Sequence, residues 1–307
     1  MSSWVEYFEL GTLLAETAIA IVLAPEFIRH LAQRSEREAR IALNIETIDP
    51  RKAKQPIFGL EPLSAQIGDV IDRARDPAAY ANLDVGNEIL IVGPEQSGKK
   101  ALALHIGKLA AMRRAIIVYN PRDADVLARA KHMLERTRKP PGRYSAEKTL
   151  LILPGLDPAY GNKGEAWCDQ LEALIETASN LPHVLIIGTV NAYERKGEVA
   201  NWFGTILTLP AQGSAAWRSM IYAIADGFMD SALQEAPRCT LSGLDRTAFI
   251  GRVMQTDPTP AEVKDIFAQC ETLATFRQRK GQTATNIITP DILDVAIERV
   301  VPRHGAT

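Results

Sequence analysis

One short run of residues has the types and spacing to do chemistry: Gly93-Pro94-Glu95-Gln96-Ser97-Gly98-Lys99, a GxxxxGK pattern. Glycines at this spacing let the backbone curl until its N–H groups converge on an anion, and the closing lysine reaches the outer phosphates of a nucleotide. The next residue is Lys100, where such loops carry Ser or Thr, whose hydroxyl ligates Mg²⁺. An ammonium cannot ligate a cation. It gives the loop one more positive charge than usual, which favours a bare nucleotide over its Mg²⁺ complex. The expectation is ATP or ADP bound by Gly93, Pro94, Glu95, Gln96, Ser97, Gly98, Lys99 and Lys100, with Mg²⁺ deprived of its usual hydroxyl and no other metal site.

A phosphate loop needs a strand before it and a helix after it, and both are legible. EILIV has strand character, and KKALALHIGKL has helical period. Further apolar runs at 115–120, 149–153, 184–191 and 205–210 suit the buried strands of a parallel sheet. Helical stretches such as DADVLARAKHMLERT and WCDQLEALIETASN separate them, which gives a doubly wound α/β order. From Ala215 the pattern turns helical: Thr259-Pro260-Ala261-Glu262 reads as a capping box with Pro at the first helical position, and Thr289-Pro290-Asp291 as another helix start. The sequence therefore divides into an apolar helix at 1–28, a charged helix and linker at 29–56, an α/β domain at 57–212 and a small all-helical domain at 213–307.

Residues 10–28 form a 19-residue apolar stretch, close to the ~20 that span a bilayer. Trp4, Tyr7 and Phe8 precede it like an interfacial belt, and Arg29, His30, Arg34, Arg37 and Arg40 follow it like a cytoplasmic flank. Glu16 and Pro25 oppose spanning. Two readings stay open: a membrane anchor, or a helix that packs on a partner or on the body of the protein. With 35 basic and 37 acidic residues the chain has no surplus to neutralise a nucleic-acid backbone. Its three cysteines, Cys168, Cys239 and Cys270, lack zinc or disulfide spacing and fit a reducing, cytosol-facing compartment.

From residue 57 to 301 the chain resembles the AAA family of ATPases. Phe58-Gly59-Leu60-Glu61-Pro62-Leu63 is similar to that family's lead-in segment, Asn191 in IIGTVN to its sensor asparagine, and DRTAFIGRVMQTDPTPAEVKDIFAQCETLA with ITPDILDVAIERVV to its lid. The resemblance implies a P-loop NTPase-like sheet with a helical lid, and assembly as a homo- or hetero-oligomer with AAA subunits. The apolar N-terminus is also similar to the membrane-anchored AAA proteases, although the chain holds no HExxH.

Departures from the family pattern carry as much meaning. Its acidic strand ends in Asp-Glu, which hold Mg²⁺ and polarise water; here LLIL is followed by Pro154-Gly155. Asp157 matches a later acid of the family, and a turn or cap residue is the plain alternative. With Asn191 it is a candidate for a catalytic role. Where the family places its arginine finger, this chain has Asn201-Trp202-Phe203-Gly204, and Arg195 lies too near Asn191 to match. The pore-loop segment, NPRDADVLARAKHML, has neither aromatic nor glycine. Arg138, Lys139 and Arg143 read as a solvated loop, with a partner or phosphate contact as the alternative. These departures imply a nucleotide-binding, non-threading scaffold or regulatory subunit with hydrolysis impaired or lost. The alternatives are an active ATPase completed by a partner's groups, and an interaction module without nucleotide.

Overall fold

The computed structural model describes residues 35–52, 61–77, 79–80, 86–138, 146–157, 166–191, 200–234, 239–283 and 286–301. The apolar stretch at 10–28, Phe58, Lys139, Arg143 and Arg195 lie outside the described residues. The described chain starts on helix α1 (35–44) and passes directly into strand β1 (Ile45–Ile48). Helix α2 (Glu61–Arg75) precedes β2 (Glu88–Val92), α3 (Lys99–Leu109), β3 (Arg114–Val118), α4 (Ala124–Glu135), β4 (Thr149–Leu153), α5 (Ala166–Ser179), β5 (Val184–Val190) and β6 (Thr205–Thr208).

These strands form one sheet in the order β1-β3-β4-β5-β2-β6. Every neighbouring pair is parallel except β1 with β3, which is antiparallel with Ile45 opposite Val118 and Ile48 opposite Ala115. Alternation within each strand divides its side chains between two cores. Leu90 and Val92 face the core built by α4 and α5, whereas Ile89 and Ile91 face the one built by α2 and α3. Strands covered on both sides must be apolar throughout, which explains runs such as EILIV and TLLIL. The chain leaves β2 for the far side of the sheet, works back to β5 and then crosses to β6, so the carboxyl end of β2 opens into a crevice at a topological switch.

Two expectations change. The stretch read as a linker, 44–56, contains β1, and the sheet gains an antiparallel edge strand. Its backbone groups find partners on β3, the open edge of the parallel core. The segment expected to be all-helical has helices α6 (Ala215–Gln234), α7 (Arg246–Met254), α8 (Pro260–Arg279) and α9 (Pro290–Val300), but also the short parallel pair β7 (Thr240–Leu241) and β8 (Ile287–Ile288). The lead-ins to α7 and α9 run side by side, and pairing satisfies their backbone groups. Trp217, Phe249 and Phe267 anchor the core of this lid, with the last two rings 5.1 Å apart. Among the described residues no helix is long and apolar enough to cross a membrane.

Candidate phosphate-binding site

The GxxxxGK loop joins β2 to α3 at the carboxyl end of the sheet. Gly93 leaves the strand with its N–H donated to the Val190 carbonyl of β5, and a Cβ there would lie 2.8 Å from Leu209 Cβ. Pro94 and Glu95 carry the chain outward; Gln96 then turns into the left-handed region at φ 57°. Ser97 is buried with its hydroxyl unpartnered among the described residues, an acceptor or donor held in reserve inside the loop. Gly98 caps α3 at φ 86°, where a side chain would be strained. Leu102 N–H closes the first turn on the Gly98 carbonyl.

Lys99 is only 9% exposed. Its ammonium donates to the carbonyls of Gly93, at 2.9 Å, and of Pro94, so it points into the ring of its own loop. Burial pushes this ammonium down to about 8, opposed by the charges of Asp157 and Glu95.

Lys100 takes another path. Its Nζ lies 3.3 Å from Glu46 Oε2 on β1, donates to the Tyr119 hydroxyl and sits 4.7 Å from the centre of that ring. Glu46 thus sets a carboxylate against the extra positive charge that Lys100 adds to the loop. Neither Glu46 nor Tyr119 was visible as a site residue, since they lie 54 and 19 positions from Lys100 and only the β1–β3 pairing brings them to it.

Pro154, Gly155 and Asn191 line the crevice. Pro154 and Gly155 end β4 beside it, and the Gly155 N–H donates to the Thr189 hydroxyl at 3.1 Å. Asn191 follows β5 and lines the same cavity. Asp157 accepts the Asn191 backbone N–H at 2.7 Å, so it serves as a capping acceptor, and its charge acts on Lys99. Among the described residues no cluster of His, Cys, Asp or Glu is arranged to hold a metal ion. In the segment where an arginine finger would fall, Phe203 is buried; a Cβ on Gly188 would lie 2.4 Å from its ring. That segment does packing.

Above the loop lies a cavity of about 650 Å³ walled on one side by Glu95 to Lys100 and on the other by the lid. Met220, Ile224 and Phe228 of α6, with Leu104 of α3, make its apolar end, while Pro260, Ala261 and Lys264 bring α8 over the loop. Thr259 caps α8 in the expected capping box and holds its hydroxyl 3.5 Å from the Gln96 side chain. These lid residues escaped the sequence reading because apolar positions spaced by four on a helix look the same whether they face a core or a cavity.

The pore-loop position is also occupied differently. Asp123, in the turn that follows β3, caps α4, and Arg40 pairs with it at 3.0 Å while Arg37 and Arg40 bond Asp125. Helix α1 is therefore tied to the start of α4.

No family model matches this chain, and no curated protein matches it. Among solved structures it is similar to the FIGL-1 AAA domain in complex with ADP, with a TM-score of 0.60, 12% identity, and coverage of 88% of this chain and 92% of that one. At this identity the likeness is one of fold. The chain has an AAA-type P-loop ATPase fold: a parallel-dominated sheet carrying a phosphate loop, closed by a helical lid.

Proposed function

We propose that this chain binds ATP or ADP between the loop and the lid and hydrolyses it slowly or not at all, as a non-threading scaffold or regulatory subunit of an oligomer with itself or with AAA subunits. The observation that carries the reading is the cavity of about 650 Å³, with a buried ammonium and a curled loop at one end and apolar lid residues at the other. That size and polarity suit a nucleotide: phosphates on the loop N–H groups and Lys99, base among Met220, Ile224 and Phe228. The neighbour of similar fold was solved with ADP.

Weak hydrolysis follows from what surrounds the phosphates. Phosphoryl transfer draws its rate from positioning and from charge placed around the transferred group, and an arginine finger alone is commonly worth roughly 10³ to 10⁵. Here Pro154 and Gly155 stand where carboxylates would hold Mg²⁺ and water, Asp157 gives one oxygen to the Asn191 backbone N–H, and Phe203 packs the finger segment. Where a hydroxyl would ligate Mg²⁺ after the loop lysine stands a second lysine, turned to Glu46. The oligomer, the cytosol-facing location and an anchor at 10–28 rest on the sequence alone.

Calorimetric titration of the full chain with ATP and ADP, once in EDTA and once with Mg²⁺, tests this. Binding in EDTA, improved less than tenfold by Mg²⁺, is expected, with no steady release of phosphate. Affinity that rises strongly with Mg²⁺, accompanied by turnover, would establish an active ATPase instead. Absence of binding at millimolar nucleotide would leave an interaction module.

A further inference from the structure

The Lys100 side chain leaves the phosphate loop and joins three elements that are distant in sequence. It is the second residue of α3 and lines the nucleotide-sized cavity, yet its ammonium rests on Glu46 of β1 and on Tyr119, just past β3. Tyr119 closes the group by donating its hydroxyl to the same Glu46 oxygen, Oε2. Its hydrogen bond, ahead of the charge of Lys100, holds the Glu46 carboxyl below its ordinary range. Tyr119 also extends the β1–β3 ladder, its N–H donating to the Asn44 carbonyl at 2.9 Å.

Strand β1 is one of the two edge strands of the sheet. It has four residues and pairs with β3 alone. Helix α1 runs into it with no residue between them, so a change in β1 is passed to the arm at 35–44 and its ion pairs with Asp123 and Asp125.

We propose that Lys100 is a two-position strap: Glu46 and Tyr119 hold it when no phosphate is bound, and the outer phosphate oxygens of a nucleotide draw it into the cavity, loosening β1 and α1. The inference rests on the nucleotide-binding reading above. The exchange is favourable by magnitude. The Lys100–Glu46 pair is nearly half exposed on both sides, 44% and 43%, and pairs so exposed contribute little. A polyphosphate inside a partly closed cavity offers several anionic oxygens, and charge-assisted hydrogen bonds to them are among the stronger ones. Glu46 is not orphaned by the transfer, because it keeps the Tyr119 hydroxyl and access to water. The ammonium would bring one positive charge to phosphates that elsewhere receive it from Mg²⁺ held by a hydroxyl. Coupling of this kind is reciprocal, so a partner that pulls on the N-terminal arm would change nucleotide affinity by the same factor.

Hydrogen exchange on the full chain, read by mass spectrometry with and without saturating ADP or ATP in EDTA, tests the strap alongside calorimetry. Amides of Ile45–Ile48 should exchange roughly 2- to 5-fold faster with nucleotide, the range set by losing one exposed ion pair. Lys100→Met should still bind nucleotide, more weakly, and lose that response. Glu46→Gln should show the faster exchange without ligand and bind nucleotide roughly 2- to 5-fold tighter, since the competing partner is weakened. Tyr119→Phe keeps the ring and removes only the hydroxyl, so it should act in the same direction if Glu46→Gln folds poorly. Nucleotide binding with unchanged or slower exchange at Ile45–Ile48 would overturn the strap and leave the binding site standing. No binding at all would overturn both.

Discussion

Lys99 is an ammonium with almost no water around it, and its affinity for phosphate should depend on pH in a calculable way. Its proton leaves near 8 in the folded protein, against an ordinary value of 10.5, chiefly because burial disfavours the charge. A polyphosphate beside it restores the preference for the charged form. Between about pH 8 and 10.5 nucleotide binding must then take up a proton, and affinity should fall as pH rises, by up to about tenfold per pH unit. Stability without nucleotide moves the other way in that window, because the unfolded chain binds more protons there and each one released favours the fold. Thermal melts and calorimetry across pH 7 to 10 would measure the two trends. Lys99→Ala should abolish binding and flatten both; a variant that binds with unchanged affinity would remove Lys99 from the site.

Among the elements, legibility followed burial. TLLIL reads as a buried strand and is one, at Thr149–Leu153, because a strand covered on both faces leaves a continuous apolar run. IETI reads as linker and is strand β1, because an edge strand needs only backbone pairing and its side chains stay partly exposed. The phosphate loop was legible residue by residue, since its turn needs glycines at fixed places. The far wall of the cavity was not: Met220, Ile224 and Phe228 become a wall only when the lid folds over the loop.

The capping box on α8 was visible in sequence, and the structure places it against Gln96 of the loop. Thr259→Ala should therefore do two things. Losing the cap costs about 1 kcal/mol, a shift in melting midpoint of roughly 2–4 °C for a unit of this size. Nucleotide affinity should also drop a few-fold, because α8 loses its start where it covers the loop. A melting shift without any change in affinity would show that the cap serves the lid alone.

At the scale of the whole molecule, the arm that leads into β1 sets how close the sheet could sit to a bilayer. Helix α1 is fixed to α4 through Arg37 and Arg40, so a span ending near Ile28 would leave six residues, 29–34, between membrane and fold. Six extended residues reach at most about 20 Å, which would hold the start of α1 within that distance of the headgroups, with Arg29, His30 and Arg34 in the connecting segment. The cost that opposes this arrangement is Glu16, roughly 2.5 to 3.5 kcal/mol at the centre of a span. An anchored chain should pellet with membranes and resist carbonate extraction. A chain starting at Arg29 should stay in the supernatant. Glu16→Leu removes the largest opposing term and should raise the membrane-bound fraction. If the full chain instead remains soluble and monomeric without detergent, and Glu16→Leu leaves it so, the anchor reading fails and the packed-helix reading of residues 10–28 stands.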